Sequence, residues 1–277
     1  MDIETQPHRA PDQTGIARAD SGTAVSSSEV WPELPLAAWT DTLDTLHMLT
    51  QIAGKVKLAL TPFANEWWNV ALQITPRGLT TGSIPFGTRA FSIDFDLLDH
   101  KLVVQTTTGE SAAISLTARP VAETYADLMA ALASLGIDVT ISPVPSEVAN
   151  PIPFPKDRTH AAYDPEYATR WWRIQAHTER ILHRFRTPFH GKSSPVNLFW
   201  GSFDLNHTRF SGRPATPPAT WPRFMQIAER MENFSCGFWP GNTTASGVTF
   251  GVPAFYAYLF PEPPGLAEAT VEPTSAV

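Results

Sequence analysis

Leu43, Leu46, Ala53, Val56 and Leu60 recur at helical intervals and predict an amphipathic helix over 38–60 with one stripe facing a core. Thr40 or Asp41 is placed to cap its start, and Pro62 ends it. The pattern then changes period. Trp68, Val70, Leu72 and Ile74 share one face of a strand over 67–75, while Trp67, Asn69, Ala71 and Gln73 share the other. A second strand is expected near 79–84. Phe91, Ile93 and Phe95 alternate with Ser92, Asp94 and Asp96, and 102–107 and 112–116 continue an antiparallel meander. Pro120 and Gly136 bracket a second helix with Val121, Tyr125, Leu128, Leu132 and Leu135 inward, and Ile137, Val139 and Ile141 read as one more strand.

The five prolines at 143, 145, 151, 153 and 155 predict an extended linker over 143–158. Beyond it, Asp164-Pro165 opens a helix to about 186, with Tyr167, Trp171, Ile174, Thr178, Ile181 and Phe185 on its core side. A strand-turn-strand from Val196, a Pro-rich loop at 214–222, a short helix at 224–232 and two strands at 234–241 and 253–259 complete the pattern. The Gly- and Asn-containing segment between the last two reads as a hairpin or flap.

The two halves echo each other. Asn65, Trp68 and Arg77 have the spacing of Asn197, Trp200 and Arg209, and Thr-Pro-Phe precedes each set, at 61–63 and 187–189. This predicts an α+β fold of two pseudo-repeated halves, each an antiparallel sheet packed with amphipathic helices. The expected layout is a disordered N-terminal arm at 1–30, an N-terminal half at 31–142, the linker at 143–158, a C-terminal half at 159–261 and a disordered tail at 262–277. A site between related halves is the natural expectation.

Composition narrows the function. With 277 residues, 43% of them hydrophobic and 17% charged, the chain can bury a large core. The net charge of −7 argues against a phosphate-backbone binder, so no nucleic-acid partner is expected. Residues 1–30 lack the apolar run of a signal peptide, and no run is long enough to span a bilayer, so no membrane partner is expected either. The single cysteine, Cys236, excludes an intrachain disulfide and fits a reducing cytoplasm. Nucleophile elbow, phosphate loop and dinucleotide fingerprint are all missing.

Several ordered blocks resemble the bacterial family of unknown function DUF5996. They are Leu43-Asp-Thr-Leu-His47 with Gln51-Ile-Ala-Gly-Lys55, Pro76-Arg-Gly-Leu-Thr80, Phe199-Trp-Gly-Ser-Phe-Asp-Leu205, Thr208-Arg-Phe-Ser-Gly-Arg213, Gly237-Phe-Trp-Pro-Gly241 and Pro253-Ala-Phe-Tyr-Ala-Tyr258. The resemblance implies four histidines and a glutamate at corresponding points of the two halves, a donor set suited to a transition metal. This chain holds Glu66, Asn69, Asn197 and Met231 at the four histidine positions and keeps only Glu232. It reads as a divergent member that has lost the metal ligands, with no metal and no cofactor expected.

The groups left to act are Glu232 and Glu66 as catalytic acid and base. Asn69, Asn197, Asp204 and Arg209 are the polar ligand-binding candidates, and Trp67, Trp68, Trp200 and Trp239 the walls. Two carboxylates in an aromatic pocket can have separated pKa values, and amides can orient a carbonyl. Each also has a structural reading: strand-end Asn satisfies backbone groups, Asp204 and Arg209 pair, and Trp fills the core. His47 reads as a hydrogen-bonded residue at the core edge. The function expected is a metal-independent enzyme of specialised small-molecule metabolism, performing isomerisation, cyclisation or elimination. The alternatives are a metalloenzyme on the family's implied plan and a small-molecule binding protein without turnover.

Overall fold

A computed structural model describes residues 31–243, 249–266, 268–270 and 272. The arm expected at 1–30, the tip of the flap and part of the tail at 262–277 lie outside the described residues. The fold is α+β, as the periodicity predicts.

Helix α1 (Leu36–Leu60) is the spine. It differs from the one-stripe expectation, because every residue from Thr42 to Lys57 except Asp44 is buried. The buried set includes Thr42, Thr45, Thr50, Gln51, Lys55 and Lys57, so polar side chains as well as leucines face other elements. The helix starts after Pro35 with no side-chain cap, and Thr40 Oγ1 instead donates to Leu36 O at 2.7 Å. Helix α2 (Val121–Ser134) ends at Gly136, whose φ of 69° suits the left-handed turn there. Helix α3 (Pro165–Arg186) begins as expected, with Asp164 Oδ1 accepting from Glu166 N and Tyr167 N. Helix α4 (Arg223–Ala228) is shorter than expected, since the chain is already extended as a strand from Met231.

The first sheet contains β1 (Gln73–Thr75), β2 (Gly78–Thr80), β3 (Ile84–Phe86), β4 (Arg89–Asp96), β5 (Lys101–Thr106) and β6 (Ser111–Ser115), in the order β1-β2-β4-β5-β6 with β3 also pairing β4. Phe91, Ile93 and Phe95 point inward, as their alternation predicts. Two expectations fail. The strand over 67–75 shrinks to β1, because Glu66 and Trp67 take positive φ and residues 65–70 form turns. No strand forms at 137–142, although Ile137 and Ile141 are buried there. Burial selects their side chains, while their backbone pairs with no strand.

The second sheet contains β7 (Asn197–Phe199), β8 (Asp204–Pro214), β9 (Met231–Trp239) and β12 (Ala254–Phe260), in the order β12-β9-β8-β7. Short strands β10 (Asn242–Thr243) and β11 (Thr249–Phe250) pair as a hairpin between β9 and β12. The two sheets meet where Leu72 and Leu198 exchange backbone hydrogen bonds of 2.9 Å in both directions. Helix α1 touches both α2 and α3, and apolar residues from both sides join one core. The Pro-rich stretch 143–158 is mostly exposed but anchored to the core: Phe154 and Asp157 are fully buried, and Asp157 O accepts from Ala122 N at 3.0 Å. The two segments behind the repeat expectation differ locally. Residues 65–77 are mostly turn, whereas 197–209 form β7, a turn and the first part of β8.

Candidate active site

Three polar residues on α1, one helical turn apart, assemble the site from segments distant in sequence. His47 Nε2 lies 3.0 Å from both Trp200 O and Gly201 O. The Gln51 amide nitrogen also lies 3.0 Å from His47 Nε2, and in the Nε2–H tautomer His47 donates to the two carbonyls. Burial holds the imidazole down at about 4, which keeps it neutral. Gln51 clamps the backbone of Ser146, donating from Nε2 to Ser146 O at 2.8 Å and accepting from Ser146 N at 2.7 Å. Lys55 Nζ donates to Ser146 Oγ at 3.0 Å and lies 5.5 Å from the centre of the Trp200 ring. Gly54 makes this stacking possible, because a Cβ there would fall 2.2 Å from the indole. The expectation for His47 holds: it is a hydrogen-bonded residue at the edge of the core.

The turn held by His47 carries Ser202, Phe203 and Asp204. Phe203 has a φ of 60° and lies between His47 and Trp171, its ring 4.7 Å from the Trp171 ring and nearly parallel to it. This sandwich fixes the start of β8 and delivers Asp204 into a buried position. Asp204 accepts from the Ser202 and Tyr256 hydroxyls. Burial raises its pKa, and those two hydrogen bonds oppose the rise.

The Gln51 clamp brings a second carboxyl to the same turn. Glu147 has a φ of 58°, and much of the residue faces solvent, yet its carboxyl end turns inward against Gly201. Burial first, and then repulsion from Asp204, push the Glu147 carboxyl up to about 7. A carboxyl poised there exchanges protons readily at neutral pH.

From Asp204 a polar network crosses one face of the second sheet. Asn206 Nδ2 donates to Tyr256 OH at 3.0 Å, Thr208 Oγ1 donates to Asn206 Oδ1 at 2.9 Å, and the Thr208 and Ser235 hydroxyls meet at 2.8 Å. Asn233 Nδ2 and Tyr258 OH both donate to Glu229, at 2.6 and 3.1 Å. Strand register explains the segregation. Asp204, Asn206 and Thr208 alternate with Leu205, His207 and Arg209, and paired residues on β9 and β12 share their faces.

The residues expected from sequence divide into three places. Trp200, Asp204 and Trp239 gather at the turn, where Trp200 Nε1 donates to Val70 O at 2.9 Å and Trp239 Nε1 to Ser202 O at 3.1 Å. Glu66, Trp67 and Trp68 gather at the junction of the sheets. There the buried Glu66 carboxylate accepts from Lys192 Nζ at 3.0 and 3.1 Å, with Arg230 at 4.0 Å. Lys192 also lies 5.5 Å from the Trp68 ring and 4.4 Å from the Phe210 ring, and Trp67 Nε1 donates to Phe224 O.

The rest are dispersed. Asn69 Oδ1 accepts from Ala64 N at 3.2 Å, a local turn contact. Asn197 is buried on β7 with its Nδ2 unpartnered. Arg209 does not pair with Asp204, because it alternates to the opposite face and its guanidinium lies 3.6 Å from the Phe185 ring. Glu232 lies on the surface with a cationic partner and not in an aromatic pocket. Its carboxylate accepts from Ser211 and from Arg213 Nε at 2.8 and 2.6 Å, and these partners lower its pKa.

Glu147, Ser146 and Tyr256 escaped the sequence reading as site residues. Glu147 sits in a Pro-rich stretch with no periodic pattern, so nothing local to it signals a site. Tyr256 and Lys55 had a signal, since both belong to the blocks that resemble a family. Those blocks converge in space: His47, Gln51, Gly54 and Lys55 on α1 face the turn of Trp200 to Asp204, and Tyr256 closes it.

The sequence model of a family of unknown function, DUF5996, matches residues 31–277. The chain belongs to DUF5996. No curated protein and no solved structure matches it. In this DUF5996 member no helix among the described residues is long and apolar enough to cross a membrane. Nor do the described residues bring three His, Cys, Asp or Glu side chains into a group able to hold a metal ion.

Proposed function

We propose that this DUF5996 protein is a small-molecule enzyme that uses carboxyl acid/base chemistry at the Glu147–Asp204 pair. The observation that supports it most is the placement of two carboxyls at one turn, one poised near neutrality and the other hydrogen-bonded to Tyr256 and Ser202. In this reading Glu147 gives and takes the proton, while Asp204 and Tyr256 hold the reacting group. They replace Glu232 and Glu66, which are ion-paired with Arg213 and Lys192. Isomerisation, cyclisation and elimination all need such an acid and base. The free Cys236 accords with a cytoplasmic setting.

The test is proton exchange. A panel of small keto and hydroxy acids is incubated with the protein in D2O, and loss of carbon-bound proton signals is followed by NMR. Exchange with a pH midpoint near 7, lost in Glu147→Gln and Asp204→Asn while both variants stay folded, is expected. Ligand-induced shifts without exchange would make the protein a carrier, and unchanged exchange in both variants would sink the assignment.

A further inference from the structure

The second sheet has two edges, and they are finished differently. At one, β7 is tied to the first sheet through the Leu72–Leu198 hydrogen bonds. At the other, the 7 residues of β12 pair β9 in continuous register, and the outer side of β12 pairs no strand among the described residues. Such an edge presents a row of unpaired N–H and C=O groups, which proteins ordinarily protect with charges, an internal proline or a bulge. The strand Ala254-Phe-Tyr-Ala-Tyr-Leu-Phe260 has none of these, and Phe255 and Tyr258 stay 53% and 43% exposed.

We propose that β12 is a self-association edge: two copies of this chain pair their β12 strands antiparallel about a twofold axis at Ala257, joining two four-stranded sheets into one. Three features select a second copy as the occupant. The strand is uncharged in a chain of net charge −7, so two copies meet there with no like charges opposed. Pro253 and Pro261 bracket it at equal distances from Ala257. Centring on Ala257 therefore pairs the whole strand and leaves the prolines, which have no N–H to give, at the two ends of the ladder.

The register also keeps the faces matched. Ala257 meets its own copy, Phe255 meets Leu259 of the partner subunit, and Tyr256 meets Tyr258 of the partner subunit. Within one chain Phe255, Ala257 and Leu259 lie opposite Phe238, Cys236 and Phe234, on the face where Phe234 contacts Phe185 of α3. Tyr256 and Tyr258 lie on the other face, where their hydroxyls donate to Asp204 and Glu229. A slip of one residue would set tyrosine against leucine and mix the two faces. The association closes at two, because both copies use the same edge and β7 is already tied to the first sheet. The pairing brings the partner's Tyr258 beside Tyr256, so the polar faces of two copies become one surface. One strand pair is smaller than the ~800 Å² per partner of standard interfaces, so the dimer is reversible. None of this rests on the acid/base reading of Glu147.

Sedimentation velocity of the full chain, from about 1 to about 300 μM, tests it. The expected result is a concentration-dependent shift from 30.4 kDa toward twice that mass. Ala257 is exposed, so a charge is tolerated there in the single chain, yet two copies would set that charge against itself. Ala257→Lys and Ala257→Glu should each stay at the single-chain mass throughout the series, and an equimolar mixture of the two should regain the dimer. Circular dichroism checks that both variants are folded, and the parent's mass decides the matter even where a variant fails. A parent that stays at the single-chain mass, or a dimer that survives in Ala257→Lys, would overturn the proposal. Species larger than a dimer would overturn the closure at two. A mixture that stays monomeric would overturn the pairing of Ala257 with itself.

Discussion

The Glu147 carboxylate rests where a side chain on Gly201 would have to be: a Cβ built on Gly201 lies 2.0 Å from Glu147 Oε1. Gly201 is also a carbonyl acceptor of His47, so one residue of the turn is gripped by α1 and leaned on by the 146–150 segment. The acid and its partner Asp204 therefore share a space that exists because residue 201 has no side chain.

Gly201→Ala tests this directly. The obstructing atom is the end of a flexible side chain, so Glu147 swings away and folding changes by less than about 1 kcal/mol. Released from burial and from Asp204, its carboxyl returns toward 4.5, and any pH dependence centred near 7 moves down with it. A pH titration of Glu147 by carboxyl-carbon NMR in both proteins reads the shift. An unmoved midpoint would show that Glu147 is held by something other than this contact.

Gly54→Ala behaves in the opposite way. The obstructing group is the Trp200 ring, which is buried and donates to Val70 O, so it has nowhere to go. Overpacking costs of about 1–3 kcal/mol outweigh the roughly 1 kcal/mol that alanine adds to a helix interior. Urea unfolding should give a lower midpoint for the variant. A gain in stability would mean that Trp200 does not lie on the helix.

Stability against pH carries two opposed signatures. His47 and His207 are buried and held down at about 4, so their contribution is complete above 6.5 and is lost as pH falls from 6.5 toward 4. Each loses on the order of 2–3 kcal/mol over that range. Glu147 is a carboxyl raised to about 7, so its contribution is greatest below 4.5 and is lost as pH rises through 7. Asp204, His47 and Lys55 are the ionisable neighbours at that turn. Denaturant melts from pH 4 to 8 should therefore show Glu147→Gln gaining on the parent as pH rises, and a constant difference would contradict the assignment.

Lys192→Met leaves the buried Glu66 carboxylate with Arg230 alone, at 4.0 Å. A loss of about 1–3 kcal/mol is expected, discounted because the lysine itself is partly exposed. Glu66→Gln in the same background should recover part of it, since the uncompensated charge is then gone. Failure of the second change to recover any stability would place the cost in lost packing on Trp68 and Phe210 instead.

The sequence by itself determined the parts whose physics is local. Alternation placed β4 to β6 and the inward faces of Phe91, Ile93 and Phe95, because a strand's side chains alternate whatever it packs against. Asp164-Pro165 announced α3 because a cap is made by the next three residues. The change of period along the chain also carried the α+β class, and the ordered blocks carried the family. Tertiary structure alone decided the rest. His47, Gln51 and Lys55 read as ordinary helix residues until Trp200, Gly201 and Ser146, about a hundred or more positions away, supply their partners. Glu147 has the pKa of its neighbours Gly201 and Asp204, not of its own segment, and Glu232, the favoured acid in the sequence, is drawn instead to Arg213. A carboxyl's chemistry follows from burial and from which charge folding sets beside it, and neither is encoded in the residues adjacent to it in the chain.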